Sequence, residues 1–142
     1  MSKKSFYEDD YKDCDGCFRP YMKIICHFAK SHIPFEVMAD TGCDSGFVLL
    51  KGQVKDLELG EKTNDTPIEM GVGDGHVVGA DSYIVEVEVG NERREIELLV
   101  VDPSNIIKEE KIEESIPVVG RELLNCFDVS FLGEKKRIVL LK

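Results

Sequence analysis

The sequence predicts a mostly β protein with one short helix near the C-terminus. Short apolar runs alternate with turn residues, and no stretch keeps a long helical period. In Tyr83–Val89 the valines alternate strictly with Glu86 and Glu88, which is typical of a strand with one wet face. We expect these strands to close into a small barrel or sandwich.

Two predicted hairpins organise the chain. Met22–Phe28 and Ile33–Ala39 are β-rich runs separated by a brief polar break, and Tyr83–Val89 and Glu95–Val101 flank the turn signal Gly90-Asn91. The other expected elements are strands Phe47–Leu50, 117–119, Val129–Phe131 and Arg137–Leu141 and a helix Arg121–Phe127. We expect a polar, irregular segment at 51–65 and a solvated loop or a helical turn at 105–115.

Length and charge limit the function classes. The 142 residues fit one domain, which we place at 21–142 behind an N-terminal extension at 1–20. A net charge of -10 argues against nucleic acid and against an anionic membrane surface. No run of 18 apolar residues and no signal peptide are visible, and the five cysteines are an odd number. Cytoplasm is therefore the expected compartment.

Asp40-Thr41-Gly42 lies between two apolar predicted strands. A carboxylate at a strand end is held rigidly, and a glycine beside it lets the backbone approach closely. Two such carboxylates brought together share one proton, so the pair can act on a water as general base and general acid. The alternative interpretation of the tripeptide alone is an ordinary turn between strands.

Three motifs resemble those of the retropepsin-like, or retroviral-type, aspartic proteases. They are the loop 38–44 around Asp40, the glycine-rich stretch 70–77, and 118–124 with its Gly120-Arg121 pair. Their order and spacing match the family, and the resemblance covers about residues 22–142. It implies the small closed barrel of the retropepsin-like acid proteases and an aspartic endopeptidase that acts on polypeptides without a cofactor or metal.

The resemblance makes Asp40 the catalytic carboxylate. Thr41 would lock two active-site loops together across a dimer, and Gly42 would hydrogen-bond the substrate backbone. Because the chain holds one such loop, the second carboxylate must come from another copy, in a homodimer with an Asp40/Asp40′ dyad on the two-fold axis. The family pairs its chain ends, so Arg137–Leu141 is the expected interface element.

The resemblance also assigns supporting residues. A flap would close over the substrate, and its residues are Gly71, Val72, Gly73, Asp74, Gly75, His76 and Val77. Asp44 and Arg121, next to Gly120, would form an ion pair that ties the loop to the helix. The alternative to the flap is a surface hairpin without a ligand role. The alternative to the ion pair is that Asp44 and Arg121 are two unrelated surface charges. Cys43 departs from the family, which has Ala or Ser there.

Cys14 and Cys17 form a lone CxxC. We interpret them as reduced thiols, with structural zinc as the alternative, because one pair supplies only half of a zinc site. Two other functions compete with the enzyme: a weakly active or inactive retropepsin-like module for peptide binding or dimerisation, and a zinc-binding regulator built on the CxxC.

Overall fold

The structure is a computed structural model in which residues 3–71, 77–102 and 117–142 are described. The described residues form twelve strands, one short 3-10 helix and one short α-helix. In chain order these are β1 (Ser5–Asp10), β2 (Lys12–Cys14), β3 (Cys17–Arg19), β4 (Tyr21–His27), β5 (His32–Ala39), β6 (Phe47–Leu50), the 3-10 helix (Lys51–Gln53), β7 (Ile68–Gly71), β8 (Val77–Val89), β9 (Glu92–Val101), β10 (Val118–Val119), α1 (Arg121–Leu124), β11 (Asp128–Leu132) and β12 (Arg137–Leu141).

Seven strands form the main sheet, in the order β4-β5-β10-β6-β9-β8-β7. β4 pairs additionally with β8, so the sheet curves back toward its first strand. The prediction of a mostly β fold is confirmed, and the closed barrel remains a prediction. The two-residue strand β10 lies between β5 and β6, and this position matters for the candidate site.

Both predicted hairpins of the main sheet are present. β4 pairs with β5, and β8 pairs with β9 around a turn in which Gly90 has a φ of 59°. Val85, Val87 and Val89 are buried, as the alternating pattern predicts. β8 begins at Val77, six residues before the predicted strand, because its first four residues pair with β7.

A second sheet joins the two chain ends in the order β1-β12-β11. The predicted closing hairpin is β11–β12. β1 pairs with β12 along the other edge, which the sequence did not indicate because Ser5–Asp10 is half acidic and lacks an apolar period. The division into an extension at 1–20 and a domain at 21–142 remains a prediction.

The two sheets share one hydrophobic core. Phe47 from the main sheet and Ile138 and Leu140 from the terminal sheet are fully buried in one cluster. The Phe6 and Phe127 rings lie 5.0 Å apart, which packs β1 against the segment after α1. The helix is shorter than predicted, since it ends at Leu124 and turns follow.

None of the helices among the described residues is long and apolar enough to cross a membrane. The loop predicted at 105–115 lies outside the described residues.

Ile138→Ala tests whether the terminal sheet belongs to the core. Ile138 is fully buried, so the change should lower the free energy of unfolding by about 2–5 kcal/mol. Ile84→Ala is the matched control, because Ile84 is 50% exposed and its loss should cost about 0.5 kcal/mol or less. Urea unfolding measures both, and equal losses would contradict the shared core.

Candidate active site

The loop that carries Asp40 connects the ends of β5 and β6. β10 pairs with both strands at this point: Val119 lies beside Ala39 in a parallel pairing and beside Phe47 in an antiparallel pairing. Both ends of the loop are therefore attached to one short strand, which restricts the movement of everything between them.

Hydrogen bonds within the loop orient Asp40. Its backbone N–H donates to the carbonyl oxygen of Val119 (2.9 Å), and its Oδ1 accepts the N–H of Gly42 (2.9 Å). The N–H of Cys43 donates to the Asp40 carbonyl oxygen (3.2 Å), which closes the turn. The side chain of Asp40 is half-buried, so its carboxylate is both held and accessible.

Gly42 and Thr41 occupy the exposed side of the loop. A Cβ on Gly42 would lie 3.2 Å from Oδ1 of Asp40, a tight contact with the carboxylate itself. A side chain here would press on the acid, so the glycine keeps the face of the carboxylate clear.

Gly120 brings α1 against this loop. Its N–H donates to the Gly46 carbonyl oxygen (3.1 Å), and the N–H of Arg121 donates to the Cys43 carbonyl oxygen (2.8 Å). A Cβ on Gly120 would overlap the Ser45 carbonyl oxygen and lie 2.5 Å from that of Cys43. Both obstacles are backbone atoms, so only glycine fits at this position.

Glu122 and Gly46 form a second junction that the sequence analysis missed. Oε1 of Glu122 accepts the backbone N–H of Glu97 on β9 (2.5 Å). A Cβ on Gly46 would lie 2.7 Å from that same Oε1. The sequence showed an acidic residue, Glu122, after Gly120-Arg121, but it did not indicate that the partner of Glu122 is Glu97 on β9, which is distant in sequence.

Asp44 and Arg121 are in contact as an ion pair. Their side chains are 82% and 50% exposed, so water screens the interaction. An exposed pair of this kind contributes about 0–1 kcal/mol to stability. The connection between loop and helix therefore depends mainly on the backbone contacts of Gly120.

The two ends of the glycine-rich stretch 70–77 lie on the paired strands β7 and β8. β7 and β8 pair as far as Gly71 and Val77. Val72, Gly73, Asp74, Gly75 and His76 lie outside the described residues, so the flap remains a prediction.

Cys14 and Cys17 face each other across the β2–β3 hairpin, whose turn residues Asp15 and Gly16 both have positive φ. Among the described residues no group of three or more His, Cys, Asp and Glu side chains could hold a metal ion. All five cysteines are free thiols. Burial raises the pKa of Cys26 to about 12, which makes this thiol unreactive at neutral pH.

The fold is similar to that of a retroviral protease. The protease of EIAV, in a complex with the inhibitor HBY-793, matches with a TM-score of 0.54. The two chains are 23% identical over 76% of this chain and 86% of the other. No family model and no curated protein matches the sequence.

Gly120→Ala tests the contact between α1 and the loop. The added methyl group must displace the carbonyl groups of Ser45 and Cys43, so the free energy of unfolding should fall by about 1–3 kcal/mol or more. Gly52→Ala is the matched control, since nothing lies within 4 Å of its added Cβ, and its stability should change by about 1 kcal/mol or less. Equal stability of the two variants in urea would contradict the contact.

Proposed function

We propose that this chain is an aspartic endopeptidase whose water is activated by Asp40 from each of two copies. The observation that carries the proposal is the position of Asp40: its carboxylate is held by the Gly42 N–H in the loop between β5 and β6, within a fold similar to that of a retroviral protease. The substrate is a polypeptide, and the chemistry needs no cofactor.

The second carboxylate comes from the partner copy. Asp44 is the other acid of the loop, but it is engaged with Arg121. One chain therefore offers one suitable carboxylate, and a symmetric dimer brings two copies of it together at the axis. Thr41 is exposed beside Asp40, and we propose that it contacts the partner loop in such a dimer.

The two carboxyl groups share the proton transfers. The ionised one takes a proton from water as the water oxygen bonds to the carbonyl carbon, and the protonated one gives its proton to the carbonyl oxygen. The carboxyl group that took the proton from water then gives it to the amide nitrogen as the C–N bond breaks. A hydroxyl of the diol gives its proton to the carboxylate that had protonated the carbonyl oxygen, which restores the starting protonation of the pair. Gly42 and the flap, Gly71–Val77, bind the peptide backbone during these steps.

Asp40→Asn should abolish cleavage of an unstructured polypeptide, with a loss of at least about 10³-fold in kcat/KM, because an amide cannot act as base or share the proton. The melting temperature should stay within a few degrees, since Asp40 is only half-buried. Asp56→Asn is the matched control, because Asp56 lies exposed in a turn after β6 and should keep full activity. Cleavage by Asp40→Asn at the parental rate would refute the mechanism.

The rate should follow a bell-shaped pH profile centred below neutrality, because the dyad needs one protonated and one ionised carboxyl group. A chelator should leave turnover unchanged, since carboxylates activate the water. The pH–rate profile is measured with and without chelator, in the parent and in a Cys14→Ser, Cys17→Ser variant. A rate that rises steadily through about pH 9, or chelator inhibition that persists in the cysteine variant, would replace the dyad with metal-assisted hydrolysis.

A further inference from the structure

Two of the three histidines in the sequence face each other at the end of the β4–β5 hairpin. His27 is the last residue of β4 and His32 is the first residue of β5, and the two are cross-strand partners. The backbone N–H of Phe28 donates to the carbonyl oxygen of Ser31 (2.8 Å), which makes these two residues a hydrogen-bonded pair. Because pair types alternate along an antiparallel ladder, the histidines form a non-hydrogen-bonded pair, in which opposite side chains lie closest.

The two imidazole rings meet through the same kind of nitrogen. Nδ1 of His27 and Nδ1 of His32 are in contact, and the ring centroids lie 4.4 Å apart with the ring planes at 74°. Two nitrogens in contact share only one proton, so at least one of them presents a lone pair. Neutral imidazole is a common metal ligand, and a divalent ion can take the place of the shared proton between two such nitrogens.

Glu88 determines which nitrogen of His27 carries the lone pair. Nε2 of His27 lies 3.3 Å from Oε1 of Glu88 on β8. An ionised carboxylate only accepts hydrogen bonds, so Nε2 holds the proton and Nδ1 of the neutral ring is bare. Arg93 fixes the same carboxylate, because its Nε donates to Oε1 of Glu88 (3.0 Å). A carboxylate behind the far nitrogen is the usual support of a histidine that binds a metal ion.

The histidine pair is enclosed on one side and open on the other. The side chains of His27 and Glu88 are 11% and 22% exposed, whereas His32 is exposed. The His27 ring is therefore held by its surroundings, and an ion can enter past His32. Zn–N bonds of about 2.0–2.1 Å place two ligating nitrogens about 3.3 Å apart in a tetrahedral arrangement. The exposed His32 ring can shift to that spacing.

Charges beside the pair favour a cation. Glu86 and Glu88 lie on the same face of β8, and Arg93 contacts both of them, at 3.7 Å and 3.0 Å. Two carboxylates and one guanidinium leave a net negative charge next to the neutral rings. This charge lowers the cost of bringing a divalent ion to the site.

We propose that His27 and His32 bind a divalent metal ion that prefers imidazole, such as Zn²⁺, through their Nδ1 atoms. Glu88 is the positioning residue for His27. The chain supplies two ligands, and water completes the coordination. This agrees with the described residues, which hold no group of three or more potential ligands. The affinity is expected to lie below that of zinc sites with four protein ligands.

A bound ion would strengthen the junction between two hairpins. β4 pairs with β8 where the main sheet curves back, and Glu88 reaches the histidine pair from this part of β8. An ion that binds the native chain and not the unfolded one stabilises the native chain by mass action. His32 lies eight residues before Asp40, at the opposite end of β5. That is about 25 Å at the rise of a strand, so the ion takes no part in the proposed hydrolysis and the inference does not depend on it.

Calorimetric titration with Zn²⁺ tests the site. The titrated chain carries Cys14→Ser and Cys17→Ser, so that the thiols of the β2–β3 hairpin do not contribute. We expect saturable binding of one Zn²⁺ per chain and a loss in affinity of at least about tenfold in both His27→Gln and His32→Gln. His76→Gln is the matched control, because it removes the remaining histidine of the sequence, and it should leave the affinity unchanged.

Glu88→Gln tests the positioning role. The change removes no ligand but weakens the hold on the His27 ring, so the zinc affinity should fall about 10–100-fold. Glu95→Gln is the matched control, because Glu95 is exposed on the neighbouring strand β9 and carries the same charge. Its affinity should stay at the parental value. Equal losses in the two variants would show that charge alone acts, and would overturn the positioning role.

NMR of the imidazole nitrogens tests the geometry without any substitution of a histidine. Zn²⁺ should shift the Nδ1 resonances of both His27 and His32, while Nε2 of His27 keeps its proton. Shifts of the two Nε2 resonances in place of Nδ1 would overturn the proposed geometry.

Thermal unfolding provides the final test. Excess Zn²⁺ should raise the Tm of the cysteine variant by about 2 °C or more and leave the Tm of the same chain with His32→Gln unchanged. No saturable binding at millimolar Zn²⁺, or binding that survives the loss of both histidines, overturns the site, and the pair then holds a shared proton only. Circular dichroism confirms that the variants are folded, and if a histidine variant fails to fold, the NMR measurement decides.

Discussion

The contact between Gly120 and the loop 40–46 is the constraint on which the rest of the site depends. β10 lies between the strands that enter and leave the loop, and the next residue approaches the carbonyl groups of Cys43 and Ser45 too closely for any side chain. The start of α1, the end of β5 and the start of β6 therefore form one junction. A shift in any of these elements would move Asp40, since its N–H is bonded to Val119.

The same junction explains why the ion pair of Asp44 and Arg121 is of secondary importance. Both side chains face water, where screening leaves little net energy, whereas the backbone bonds beside them lie in the loop itself. The ion pair adds little to the contact between α1 and the loop, because the close packing of Gly120 against the loop already fixes that contact. Glu122 connects the junction to β9, because its Oε1 accepts a hydrogen bond from the backbone N–H of Glu97.

Local patterns predicted the parts of the fold that depend on neighbouring residues. The alternation of valine and glutamate identified β8, and turn residues identified its hairpin with β9. β1 was missed because its acidic residues carry no strand pattern, and its position depends on β12 at the other end of the chain. The carboxylate and its glycine were predicted from the motif, but the contact of Glu122 with β9 joins residues 25 positions apart, so the acidic residue in the motif does not reveal its partner.

Mixing active and inactive chains tests most directly whether two copies share the dyad. Wild-type protein at fixed concentration is equilibrated with a threefold excess of Asp40→Asn chains, and cleavage is then measured with substrate in excess. If each active site needs Asp40 from both chains, random pairing should reduce the rate to about one quarter of its original value. A rate that stays unchanged while affinity-tagged Asp40→Asn chains co-purify with untagged wild-type chains would mean that one chain carries a complete active site, and would contradict the account.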